Sequence, residues 1–287
     1  MISRRLYRTV WAFAAGWTAL AGVAVAAQRA EVLVQTHAWA RFGKGAWRQV
    51  RIVTENFDDE GKVASSSITD NTTTVEEVTP ERITLSVEVT VEVAGKKFPS
   101  PPQTVQQGYA GETAGQTVSF KPLEGESLTV DGRQIDCEAQ QIEILGGGNK
   151  EVIEISFSPR MMPAILKRRS TTSDAASGKT TQEALTEVYS LDKRFKLLDE
   201  RAERRGYRMR QVLKTDRGTT TTWSDHVPDV PGEVVAHSSQ KFDDAGKLVR
   251  RTTLELVDYG VEPGSQADSE GDAARDTPRR SRRHKRR

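Results

Sequence analysis

The stretch RITLSVEVTVEV, residues 82–93, decides the fold class. Ile83, Leu85, Val87, Val89, Val91 and Val93 alternate without a break against Arg82, Thr84, Ser86, Glu88, Thr90 and Glu92. A period of two describes a β-strand with one dry and one wet face; a helix would place apolar residues every three or four positions. At ~3.3 Å per residue the strand would reach roughly 40 Å. Strands of parallel sheets are buried on both faces and read as unbroken apolar runs, so this alternation predicts an antiparallel sheet with one solvated side.

Further strands are expected on either side: 47–56, 63–78 and 117–120, then 134–145 joined through Gly146-Gly147-Gly148-Asn149 to 151–157. After these come 164–172 with 180–189, 207–214 with 219–224, and 233–241 with 248–259. Threonine is abundant, and Gly- and Pro-containing turn signals fall between the runs. One helix candidate is DKRFKLLDERAERRG, residues 192–206, with Asp192 as N-cap, Phe195, Leu198 and Ala202 on one side and Gly206 as the stop; a charged, solvated connector between the repeats is the alternative. The proline-rich stretch 96–116 reads as a loop leaving the sheet.

The phrase FDDEGKV at 57–63 returns as FDDAGKL at 242–248, with a looser version, SDAASGKT, at 173–180. Asp-Asp-x-Gly-Lys supplies a capping carboxylate and a glycine that accepts positive φ, as a β-hairpin turn requires. An offset of 68 residues also aligns Pro163 with Pro231, Ser170 with Ser238, Lys179 with Lys247 and Glu187 with Glu255. These matches predict a duplicated supersecondary unit, 133–191 and 207–259.

The 287 residues divide into an N-terminal segment 1–27, a β region 28–130, a β region 131–260 holding the two ~68-residue repeats, and a tail 261–287. Arg4, Arg5 and Arg8 precede an apolar run ending at Ala24-Val25-Ala26, the pattern of a cleaved signal peptide; an uncleaved anchor is the alternative. The tail ends with Arg279, Arg280, Arg282, Arg283, Lys285, Arg286 and Arg287 and is expected to be disordered. The chain is +2 overall, yet its body carries −4 and the tail +3. That polarity excludes a nucleic-acid-binding body and leaves the tail as a possible contact for an anionic surface or polymer. Cys137 is the only cysteine, so no internal disulfide exists; its strand context predicts burial.

Trp223, Pro231 eight residues on, the Asp244-x-Gly246 turn, and Leu248, Leu254 and Leu256 together resemble the C-terminal portion of the lipoprotein-carrier superfamily, the LolA and RseB-like proteins. That resemblance implies an incomplete, open antiparallel β-barrel whose concave face takes up acyl chains or a peptide. Leu85, Val87, Val89, Val91 and Trp223 are then the expected ligand face. No counterpart of the family's cavity-lining helices is visible.

Nothing in the sequence assembles an enzyme or a metal site. His37, His226, His237 and His284 lack a third ligand or triad pattern and read as surface histidines. Gly146-Gly147-Gly148-Asn149 lacks the Lys-Ser/Thr ending of a phosphate loop. No cofactor is implied. The expectation is an exported, non-catalytic binding module of the cell envelope holding an apolar or extended ligand, with a scaffold protein lacking a cavity as the alternative.

Overall fold

The computed structural model describes residues 33–198 and 200–261. The N-terminal segment 1–27 and the basic residues Arg279 to Arg287 lie outside these. Fourteen strands form one antiparallel sheet. They are β1 (Trp47–Phe57), β2 (Val63–Val78), β3 (Arg82–Val93), β4 (Lys96–Pro99), β5 (Gln103–Gly108), β6 (Thr117–Val130) and β7 (Arg133–Gly146). The rest are β8 (Asn149–Phe157), β9 (Ile165–Asp174), β10 (Thr180–Lys196), β11 (Glu203–Thr215), β12 (Gly218–His226), β13 (Val234–Phe242) and β14 (Leu248–Gly260). The order across the sheet is β4-β3-β2-β1-β14-β13-β12-β11-β10-β9-β8-β7-β6, with β5 also beside β3.

This order forces the sheet to curl. Going round from β5 to β6 means twelve strand spacings, roughly 58 Å if flat at ~4.8 Å each. The direct connection, residues 109–116, reaches only roughly 30 Å when fully extended. Tyr109 and Ala110 accordingly pack with Val118, Phe120, Ile142 and Ile144 on the far edge. No ladder joins β6 to β4 or β5, so the result is an open barrel with a seam.

Because all neighbours are antiparallel, the turns after β1, β7, β9, β11 and β13 share one rim. The longer connections 158–164, 197–202 and 227–233, together with residues 33–46, gather at the other. There Trp39, Phe42 and Ala46 meet Val75, Ile83 and Leu85. Leu197, Val227 and Val230 meet Val235. The third cluster joins Val130, Cys137 and Leu166 to Val188, Leu191 and Tyr207. Cys137 is 6% exposed, and burial pushes its thiol pKa up.

The two FDD turns are alike in detail. Asp58 Oδ1 accepts the backbone N–H groups of Glu60 and Lys62 at 2.9 Å each, and Asp243 Oδ1 accepts those of Ala245 and Lys247 at 3.0 and 2.9 Å. Gly61 and Gly246 take φ of 77° and 78°. Since β1 lies beside β14, the turns are neighbours on the open rim, linked by Lys247 Nζ to Asp59 Oδ1 at 2.8 Å. Gly246→Val would force a β-branched residue to positive φ, although open space surrounds the site. A loss of about 1–3 kcal/mol in urea unfolding is expected from the backbone alone; an unchanged midpoint would disprove the strain.

Two sequence expectations are corrected. Residues 192–206 are not a helix: β10 runs on to Lys196 and pairs with the start of β11, Lys193 opposite Gly206 and Phe195 opposite Arg204. Helical spacing would bury Leu198, which is 43% exposed, whereas the extended chain buries Leu197 and packs Phe195 against the Val227–Val230–Val235 cluster. Asp192 takes φ of 52° rather than capping a helix. The stretch 96–108 does not leave the sheet either. β4 pairs with Val91 and Val93 at one end of β3, and β5 with Ile83 and Leu85 at the other. An edge strand tolerates the missing N–H of proline; Ser100 N–H still donates to the Val89 carbonyl at 2.8 Å, and only Pro101-Pro102 step away from β3.

Candidate functional site: the inner face of the open barrel

Strand register identifies the residues that share the face on which the core clusters lie. One row runs through eight consecutive strands: Ser67, Thr54, Thr252, Ser239, Thr222, Gln211, Thr186 and Arg168 are successive partners from β2 round to β9. At ~4.8 Å per strand the row extends roughly 34 Å. Threonine suits a strand because its β-branched side chain fits the pleat, and its hydroxyl tolerates a half-wet surface. Thr222 Oγ1 donates to Ser239 Oγ at 2.9 Å, and Gln211 Nε2 to Thr186 Oγ1 at 3.2 Å. Arg168 ends the row 3.9 Å from Glu151; burial lowers its pKa and Glu151 opposes the shift.

Towards the plugged rim the same face becomes charged. Arg48 on β1 stacks its guanidinium over Trp39, 5.2 Å from the ring centroid, and Nη1 donates to the carbonyls of Gly232 and Val234 at 3.2 and 2.9 Å. Its Nε is enclosed without a partner, and no carboxylate lies within ion-pair distance among the described residues. Burial lowers the Arg48 pKa to about 10. His226 stacks on Tyr207 with ring centroids 4.8 Å apart, and its Nε2 lies 2.8 Å from Ser224 Oγ, while Nδ1 is enclosed without a partner. Burial first, then the charges of Arg48 and His237, lower its pKa to about 4. Burial and Arg48 likewise lower His237. Behind this group Arg41 pairs with Glu233 at 2.6 Å, and the Tyr207 hydroxyl donates to Glu233 Oε2.

The expected ligand face is only partly assembled. Leu85 is buried in the plug cluster, while Val87, Val89 and Val91 are half-buried on the inner face beside Thr73, Asn71 and Thr69. Trp223 points the other way. It lies next to Thr222 and Ser224 in the strand, so it faces outward, 44% exposed, edge-on to Tyr189 at 4.9 Å and beneath Arg210. The reading of His226 and His237 as surface histidines is corrected, since burial lowers both. The hydroxyl row was missed because its members are scattered over eight strands; the abundance of threonine at alternate positions was the available signal.

Ser224 and His226 have the separation of a nucleophile and base, but no acid among the described residues orients the imidazole, and Arg48 opposes its protonation. No cluster of three or more metal-ligating side chains occurs among the described residues. A depression between Phe195, Leu197, Val235 and Leu256 measures about 180 Å³, below the ~300 Å³ at which small-molecule pockets begin.

No family model matches the chain, and no curated protein matches it. Among solved structures, a Bacteroides fragilis protein described as exported, with a YmcC-like fold, aligns at 9% identity. The alignment covers 76% of this chain and 99% of that one, with a TM-score of 0.27. A structure from Parabacteroides distasonis, described as that of a lipoprotein, aligns at 10% identity over 76% and 98% of the two chains, TM-score 0.28. An engineered porin of Rh. blastica aligns at 10% over 73% and 98%, TM-score 0.23. Likenesses of this size carry no functional argument.

Proposed function

We propose that this chain is an exported, non-catalytic binding module of the cell envelope that holds an extended polar ligand along the inner face of its open barrel. The hydroxyl row carries the reading. Seven Ser, Thr and Gln side chains in consecutive register offer repeated donors and acceptors across roughly 34 Å, which suits a polar chain lying across the strands. An acyl chain would leave those groups unpaired on binding, and each lost partner weighs against it. Export rests on the sequence of residues 1–27, and the absence of catalysis on the poor base that His226 makes. The barrel framework is read as a duplicated four-strand meander: β7 to β10 begin at 133, 149, 165 and 180, and β11 to β14 at 203, 218, 234 and 248.

Native mass spectrometry of the full chain recovered from its source cells tests the cradle. A bound polar chain is expected on the wild type and not on a Thr54→Val, Thr222→Val, Thr252→Val variant with unchanged melting temperature. No bound species on the wild type, or equal retention by the variant, would refute it.

A further inference from the structure

We infer that the floor of the inner face is an anion site, in which Arg48, with His226 and His237 beside it, takes a carboxylate or phosphate group carried by the ligand. The inference rests on the cradle reading and names the chemistry at its deep end.

Two arginines enter the plug, and they are treated differently. Arg41 has a carboxylate of its own, Glu233 at 2.6 Å. Arg48 is given two backbone carbonyls and a tryptophan ring, which orient a guanidinium without neutralising it. A buried charge without a counter-ion costs several kcal/mol even after relaxation, roughly. Its retention beside an inward-facing surface points to an anion supplied from outside. The inner-face carboxylates named above are committed elsewhere: Glu233 to Arg41 and Tyr207, Glu151 to the far end of the row.

The neighbouring groups complete the site. Ser224 Oγ and His226 Nε2 are 2.8 Å apart; if the hydroxyl is the donor, the proton of the neutral imidazole sits on Nδ1, the enclosed atom that has no partner, and once the imidazole is protonated Nδ1 donates in either case. His237 and Ser224 are register partners one step below Ser239 and Thr222, roughly 7 Å along the strands; His226 and its partner Val234, whose carbonyl Arg48 holds, lie a further step down, roughly 13 Å below the row. A chain that turns from the row down along β12 and β13 can therefore bring an acidic group to Arg48. The groups facing His226 are Arg48 from β1, His237 from β13 and Tyr207 from β11, with Glu233 and Arg41 behind Tyr207. An anion among them would favour the imidazolium forms, so its affinity rises as pH falls.

The test is calorimetry of the full chain with glucuronate, glucose 6-phosphate and glucose, alongside the ring signals of His226 and His237 in nuclear magnetic resonance. At least one anionic probe is expected to saturate and shift both histidines, while glucose does neither; which probe binds separates carboxylate from phosphate. Arg48→Gln should weaken that binding by about tenfold or more. Equal binding of glucose, or unchanged affinity in Arg48→Gln, would overturn the inference. Should Arg48→Gln not fold, the wild type still decides: affinity that does not strengthen on acidification is equally fatal. Should neither anionic probe bind a protein stripped of the polar chain it carries from the source cells, the anion site alone fails. Should the anionic probe bind while no chain is recovered, the cradle alone fails.

Discussion

Glu233→Ala is expected to destabilise the protein by about 3–5 kcal/mol, the range for breaking a buried ion pair from one side. The carboxylate pairs with Arg41 and accepts the Tyr207 hydroxyl, and its side chain is only 9% exposed. Removing it leaves a largely enclosed guanidinium and a buried phenol without their partner. Arg41 also donates to the carbonyl of Pro228, so the loss reaches the whole 227–233 loop, where Val227 and Val230 are fully buried. Glu233 takes φ of 62°, where an L side chain is strained. Glu233→Gly should therefore recover about 1 kcal/mol relative to alanine. In a double-mutant cycle with Arg41→Met, the combined loss should fall well short of the sum, because the second change removes the charge that the first stranded. Urea unfolding of the four proteins decides it, and strict additivity would show that the pair is not coupled.

Most strands were legible because their signal is local. The alternation of β3 and the turn chemistry at Gly61 and Gly246 depend on a few adjacent residues, and the structure places them as the sequence predicts. The repeated phrase also acquires a spatial reason: the first and last hairpins of the described residues meet through β1 and β14, so two turns of the same design sit side by side. The alternation was less informative about depth. Ile83 and Leu85 are buried, but Val93, on the same face of the same strand, is 45% exposed, because the plug covers only one end.

What stayed hidden depends on contacts between distant segments. Residues 33–46 carry no strand pattern, yet Trp39, Phe42 and Ala46 close one end of the barrel. Residues 192–206 have acceptable helical spacing, and only the partnership with β11 and the buried site for Leu197 select the extended chain. Arg48 sits in a strand whose pattern gives no hint that its side chain crosses to the carbonyls of residues 232 and 234. Local sequence therefore specified the ladder, while the inward surface, where the candidate site lies, emerged from register.

Acid is expected to weaken the protein through His226. Its folded pKa is about 4 against an ordinary 6.5, because burial and the Arg48 charge disfavour the imidazolium. A histidine with a depressed folded pKa binds its proton more readily in the unfolded chain. Its stabilising contribution is thus complete above about pH 6.5, falls as pH drops towards 4, and levels off below. At about 1.4 kcal/mol per unit of difference, the loss approaches about 3 kcal/mol. His237 and His37 are lowered as well and act in the same direction. Glu233 opposes them: burial raises its pKa, so its own contribution favours low pH and is lost as pH rises. Comparing slopes with a His226→Gln variant isolates the imidazole from this opposing carboxylate. The wild type should lose stability more steeply between pH 6.5 and 4 than the variant, whatever the variant's stability at neutral pH. Parallel curves would mean that His226 takes up its proton in the folded protein as easily as in the unfolded chain, and that the Arg48 charge does not reach it.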